Sequence, residues 1–260
     1  MNFANKDNLK VTIITVCYNS EKTIKTTLDS VISQKFKEIE HLIIDGKSTD
    51  KTILIVKEHS HIKKIISEPD KGIYDAMNKG IKFASGDIIG FLNSDDLYVN
   101  NEAVSKVVNE FKKDPLLDAC YADLVYVNHR NTSKTVRYFK SSKFKKGLFS
   151  KGWCPPHPTF FVRRSIYQQY GNFDLNYHLA SDVDLMIRFL EIHKIKSCYI
   201  ANPLVKMRMG GATNKNLRNI LKQNLEILNS FHKNGLPLNK TSFFINKIIS
   251  RSKQFFKKQS

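Results

Sequence analysis

Acid is what this chain has little of. Across 260 residues, 24 Asp and Glu face 42 Lys and Arg, leaving a formal charge of +18. Roughly 2–8 units suffice to keep a small domain soluble, so solubility alone does not explain the excess. It predicts an anionic partner: nucleic acid, anionic lipid or a phosphorylated substrate. Cysteine is also sparse. Cys17, Cys120, Cys154 and Cys198 form no Cys-x-x-Cys or Cys/His spacing. That argues against a disulfide framework or a zinc site and predicts reduced, buried thiols in a cytosolic protein. No apolar run approaches the roughly 18 residues of a membrane span. The polar residues 1–10 lack a signal-peptide core, so neither membrane crossing nor export is expected. Internal repeats and low-complexity tracts are missing too.

What remains is an ordinary globular composition, 41% hydrophobic and 25% charged. It is enough for one large α/β domain or two small ones. Val11-Thr12-Ile13-Ile14-Thr15-Val16 is rich in β-branched residues and reads as a buried strand. Asn19 and Ser20 then offer an N-cap, and Ile24, Leu28, Val31 and Ile32 recur at helical spacing. Further strands are expected at His41-Leu42-Ile43-Ile44, near Lys64-Ile65-Ile66-Ser67, and at Ile88-Ile89-Gly90-Phe91-Leu92, with helices between them. Such alternation predicts a mostly parallel sheet with helices on both faces.

Two of these strands end in acids: the second in Asp45, the fourth in Asn93-Ser94-Asp95-Asp96. Strand packing has no use for charge at an exit. In open α/β sheets ligands sit outside the carboxyl ends of strands, where acids can hold a divalent cation and its diphosphate. A polar turn would use the same residue types. The shared edge expected for both acid-tipped exits weakens that plainer reading.

Past a helix at 101–113 the pattern loosens. A strand is expected at 119–127, a basic stretch with mobile loop at 129–150, and an irregular Pro155-Pro156-His157-Pro158 segment. Asp182 precedes a helix running to about His193, where an Asp serves commonly as a cap. From Asn214 two helices are expected, separated by Asn234-Gly235-Leu236-Pro237. This tail holds ten basic residues and the single acid Glu226, half of the net charge. Its last helix interleaves lysines with Phe243, Phe244, Ile248, Ile249, Phe255 and Phe256, a pattern that suits a membrane surface or packing on the domain.

Together, Val11-Thr12-Ile13-Ile14-Thr15-Val16-Cys17-Tyr18-Asn19, Ile44-Asp45-Gly46-Lys47-Ser48-Thr49-Asp50 and Asn93-Ser94-Asp95-Asp96 resemble family 2 glycosyltransferases. The block at 67–80, Ser-Glu-Pro-Asp-Lys-Gly-Ile-Tyr-Asp-Ala-Met-Asn-Lys-Gly, is similar to the bacterial branch that makes O-antigen, capsule and exopolysaccharide. The resemblance spans roughly residues 10–212. It implies a GT-A fold: a Rossmann-like nucleotide-binding half with a mostly parallel central sheet flanked by helices. The catalytic domain would be 1–212, with a nucleotide-sugar and metal half at about 10–115 and an acceptor half at 116–212. Residues 213–260 would be a basic amphipathic helical tail.

The resemblance also implies chemistry: an inverting, metal-dependent transfer from a nucleotide sugar. Asp182 matches the family's catalytic base, with Ser181 in place of a glutamate. Asp95 matches the last acid of the Asp-x-Asp metal motif and would hold Mn²⁺ or Mg²⁺. Asn93 replaces that motif's first acid, and Asp96 supports the site. Asp45 matches the first acid of a turn often written Asp-Asp-Gly-Ser, with Gly46 where the second would be. Thr15, Tyr18, Asp70 and Lys71 complete the donor side, with uridine favoured as the base, and His157 and Arg208 fall on the acceptor side. The implied partners are a UDP-hexose, an undecaprenyl-diphosphate-linked sugar, and the anionic inner face of the cell membrane, met through the tail. The chain would then be cytoplasmic and peripheral on that membrane. Two rivals fare worse. Nucleotidyltransferases carry a Gly-rich loop after the first strand, which Cys17-Tyr18-Asn19-Ser20 is not. A nucleic-acid-binding module leaves the strand-end acids unexplained.

Overall fold

The computed structural model describes residues 9–210 and 217–256. β1 (Val11–Cys17) is buried at all seven positions, as a strand covered on both faces must be. It pairs in parallel with β2 (Ile39–Asp45) and with β4 (Ile88–Phe91), and β3 (Ile62–Ser67) extends the sheet beyond β2. Helices α1 (Ile24–Ile32), α2 (Thr52–Lys57) and α3 (Ile73–Phe83) make the crossovers. α3 buries Ala76, Met77, Gly80 and Ile81, an i, i+1, i+4, i+5 stripe. Cys17 lies opposite Asp45 and Ile14 opposite Phe91, so the strand exits share one edge. The α1 start differs from the sequence expectation. Thr23 occupies the cap without a side-chain bond, and Ser20 acts one turn earlier through its carbonyl, which accepts from the Thr23 and Ile24 amides.

After β5 (Leu97–Tyr98) and α4 (Ala103–Lys113) the sheet turns mixed. β6 (Ala119–Val127) pairs with β7 (Thr135–Phe139) and with β8 (Phe161–Arg163), both antiparallel, and β8 runs antiparallel to β4. β7 lies inside the segment read as a basic loop. β9 (Ser197–Arg208) runs parallel to β6 through two register shifts and pairs antiparallel with β5. No periodicity announced β9: Pro203 lies inside it and its burial does not alternate. α5 (Arg164–Tyr170) and α6 (Ser181–Ile187) complete the domain, α6 continuing as a π-turn at Arg188–Ile192. All four cysteines are free thiols, and no described helix is long and apolar enough to cross a membrane.

The tail helices α7 (Leu217–Lys233) and α8 (Lys240–Phe256) dock on this body. Ile227, Phe231 and Phe243 join the same buried cluster as Phe91, Phe160 and Leu185. At about 1.5–3 kcal/mol per fully buried side chain, that packing outweighs the roughly 1 kcal/mol a surface lysine gains at a membrane. Polar contacts fix the seat. The Ser230 hydroxyl donates to Asp184 Oδ1 at 2.6 Å and Lys233 pairs with Asp174. Glu226 accepts the Leu179 and Ala180 amides at 2.7 and 3.0 Å. The expected division at 212/213 lies outside the described residues.

Candidate active site

A cleft of about 990 Å³ opens along the strand exits. Tyr18, Asp70, Asn93, Asp95, His157 and Asp182 all line it, although up to 164 positions separate them in sequence. Thr15, Asp45, Lys71, Asp96 and Arg208 do not reach its wall.

The loop after β4 is held from behind. The Asp96 amide closes a turn on the Asn93 carbonyl at 3.0 Å, and the Thr27 hydroxyl donates to the Asp96 carbonyl at 2.7 Å. Arg208, only 5% exposed, spends its guanidinium on protein oxygens. Nη1 donates to the Asp95 carbonyl at 2.6 Å, Nε to the His129 carbonyl at 3.2 Å, and Nη2 to Thr26 Oγ1 at 2.8 Å. It thus braces the Asp95 loop from behind. Both Asp96 carboxylate oxygens and Asn93 Oδ1 are buried without a partner. Burial raises the Asp95 carboxyl above its usual range, and raises Asp96 well above it, with Asp95 adding to the shift.

These orphaned acceptors test whether a divalent cation fits. Unpaired buried carboxylates are costly, and a cation beside Asp95 relieves that cost. Among the described residues no three His, Cys, Asp or Glu form a metal cage. The donor set therefore suits an ion held by one or two carboxylates and completed by substrate phosphates. Asp95 would hold it, with His129 also on the cleft wall. Such an ion stabilises charge on a departing diphosphate as a Lewis acid.

The Tyr18–Asp70 end of the cleft is built around a missing side chain. A Cβ on Gly46 would lie 2.9 Å from Asp70 Oδ2 and 3.3 Å from Tyr18 Cδ2, so a side chain there makes the Asp70 carboxylate shift. Tyr18 stands 63% exposed, a free aromatic face at the cleft. Asp70 pairs with Lys79 at 2.6 Å, while Lys71 stays exposed outside the lining. Asp45 is consumed locally, accepting from the Ser48 amide, the Ser48 hydroxyl, the Ser67 hydroxyl and Cys17 Sγ. It holds the turn that shapes the pocket. Thr15 is fully buried, and its hydroxyl pairs with His41 Nε2 at 3.0 Å.

Across the cleft, Asp182 sits in the first turn of α6. Ala180 occupies the cap position and no side chain caps the helix, so Asp182 is not spent as a cap. Its Oδ1 accepts the Tyr74 hydroxyl at 2.9 Å. Burial and the Asp182 charge push the Tyr74 phenol well up, keeping it a donor. His157 stacks on Phe91 at 5.4 Å and meets Phe173 edge-on at 5.5 Å. Burial lowers its pKa, so it stands as a neutral ring. Sequence reasoning passed over Tyr74, His129 and Glu226. Tyr74 lay in the specific 67–80 block, and Glu226 was conspicuous as the tail's lone acid.

The acid at the β4 exit and the carboxylate on α6 thus face one cleft at the parallel strand exits. The sequence profile of Glycosyl transferase family 2 matches residues 12–171, and the chain belongs to that family. It is 30% identical over 181 residues to an uncharacterized glycosyltransferase of Mycobacterium tuberculosis, covering 68% of each chain. It is 40% identical over 98 residues to the Escherichia coli UDP-Glc:alpha-D-GlcNAc-diphosphoundecaprenol beta-1,3-glucosyltransferase WfgD, covering 37% of this chain and 39% of that one. The fold matches S. aureus TarS 1–349 with a TM-score of 0.67 at 18% identity, over 93% of this chain and 72% of that one. It also matches the mannosyltransferase PcManGT from Pyrobaculum calidifontis, in complex with GDP-Man and Mn²⁺, with a TM-score of 0.64 at 17% identity, over 96% and 71%.

Proposed function

We propose that this glycosyltransferase moves a hexose, with inversion, from a UDP-sugar to a sugar borne on a lipid diphosphate, in surface-polysaccharide synthesis such as O-antigen. The observation that carries the reading is one cleft in which Tyr18, Asp70 and Asp95 face Asp182. Tyr18 and Asp70 receive the nucleoside, and Asp95 would hold Mn²⁺ or Mg²⁺, which would stabilise charge on the diphosphate. Asp182, oriented by Tyr74, takes the proton of the acceptor hydroxyl. The acceptor oxygen then forms its bond to the anomeric carbon as the bond to the diphosphate breaks with its electron pair. Alignment of the two substrates supplies much of the rate. Glucose or galactose is the sugar of choice, and the name of the E. coli relative supports glucose from UDP-glucose onto a GlcNAc-diphosphate lipid.

The tail supports a peripheral seat on the cytoplasmic membrane face. Leu221, Leu225, Ile245, Ile248 and Ile249 are exposed, and the one acid, Glu226, is buried against the domain. Its outward face therefore offers apolar side chains among cations to anionic lipid.

The test is metal-dependent UDP release from UDP-glucose with a synthetic GlcNAc-diphosphate lipid. Release that needs both metal and acceptor is expected; release indifferent to metal would overturn the assignment of Asp95. Sedimentation with anionic vesicles, matched against neutral ones, tests the seat, and equal sedimentation with both would refute it.

A further inference from the structure

A second cavity, of about 260 Å³, lies behind the base. Asp182 and His157 line both cavities, so the two meet at these residues. The smaller one has no strand-exit acid. Its walls are the Pro155-Pro156 segment, Trp153, and, from the tail, Phe231 of α7 with Phe243 and Lys247 of α8. The tail wall lies wholly beyond residue 171, where the family match ends.

The geometry points to this second cavity as the acceptor pocket, taking a glycosyl phosphate: the sugar ring against the aromatic wall, the phosphate toward Lys247. The inference rests on Asp182 being the base.

Three observations carry it. First, a two-substrate transfer needs the base in reach of both substrates, and Asp182 is the carboxylate common to both cavities. Second, the lining suits a phosphorylated ring. Trp153 is fixed by Phe149 at 5.3 Å and Tyr121 at 5.8 Å, giving the rigid apolar surface that sugar C–H faces need. Lys247 and Arg137 add cations, Arg137 lying 3.9 Å from the Tyr126 ring centroid. Charge-assisted contacts to phosphate are the strong ones. At this size the cavity falls below the roughly 300–1,000 Å³ typical of drug-sized ligands, and so suits one ring rather than a nucleotide.

Third, the pocket is closed by the tail deliberately. Gly152 has φ +74 and a Cβ there would sit 3.2 Å from both Lys247 Cβ and the Phe243 carbonyl. A side chain here would be strained and would push α8 outward, so glycine suits the close approach. Asn224 of α7 steadies the Lys247 ammonium at 2.6 Å. Lys247 and Phe243 share the inner face of α8, one turn apart, while Ile245, Ile248 and Ile249 are exposed.

Trp153 is the chain's sole tryptophan, so its emission reports on this pocket without any turnover. The full chain is titrated with N-acetylglucosamine 1-phosphate, with neutral N-acetylglucosamine, and with inorganic phosphate. Saturable change with the sugar phosphate is expected, about tenfold tighter than with either fragment. Lys247→Glu should weaken it about tenfold or more, and Lys247→Arg should restore it. No saturable response, equal affinity for the neutral sugar, or indifference to Lys247→Glu would each overturn the pocket. The broader reading fails separately: binding without any transfer from UDP-glucose sinks the reaction and leaves the pocket standing. Transfer with unaltered acceptor KM in Lys247→Glu does the opposite.

Discussion

The two walls of the cleft are built by different means. On the donor wall, Asp95 and the Asp45 turn lie at exits of parallel strands, backed by Cys17 and Ser67 beside Asp45 and by Thr27 and Arg208 behind Asp95. On the opposite wall, Asp182 owes its place to distant segments: Tyr74 of α3 holds its carboxylate, and Glu226 of α7 holds the two amides just before its helix. None of the residues that brace the donor wall also holds Asp182, whose supports come from α3 and α7. The donor wall should therefore survive damage that disables the base.

The sharpest division comes from Asp182→Asn. Loss of a general base should lower kcat by about 10²–10⁴-fold while UDP affinity, read by calorimetry, stays within about twofold. Joint loss of both would merge the two walls. Next, metal titration across pH probes the donor wall alone. Because burial raises the Asp95 carboxyl, it protonates at higher pH than a free carboxylate near about 3.9. Metal affinity should fall on acidification while ordinary carboxylates remain ionised, and half-loss at or below that value would contradict the site.

Glu226→Gln keeps the shape but removes the charge that receives two amides. A cost of about 1–3 kcal/mol in unfolding free energy and a lower kcat with unchanged UDP affinity are expected. A shift in UDP affinity would mean the tail reaches the donor wall. The smallest effect belongs to His41, fully buried beside Thr15, His61 and His59, whose pKa burial lowers to about 3. The unfolded chain takes up a proton below about 6.5 while the folded one does not, so stability falls as pH drops through that window. The loss reaches about 1.4 kcal/mol by about pH 5.5. His41→Asn should flatten that limb, and chemical denaturation at the two pH values would reveal it.

The donor half was readable because β-branched runs and helical stripes coincide with its elements, and its acids stand at strand exits. The base needed the family resemblance, since an Asp at a helix start reads equally as a cap until Ala180 is seen in that place. β9 escaped because its register shifts break alternation. The resemblance sets Arg208 on the acceptor side; the oxygens its guanidinium binds come from residues 26, 95 and 129, a convergence no local pattern encodes. The tail's charge was legible at once. That its single acid turns inward to hold the segment before Asp182 is a tertiary fact.

Gly46 has a consequence for how this site can change. An added side chain there meets the Asp70 carboxylate first and the Tyr18 ring second, so positions 46 and 70 compete for the same space. Gly46→Asp alone should weaken UDP binding, and adding Asp70→Ala should recover part of the loss, a non-additive pair in a double-mutant cycle. The order of change then matters: emptying position 70 first removes the atom a side chain at 46 would meet, and the cycle measures how much that eases the second step.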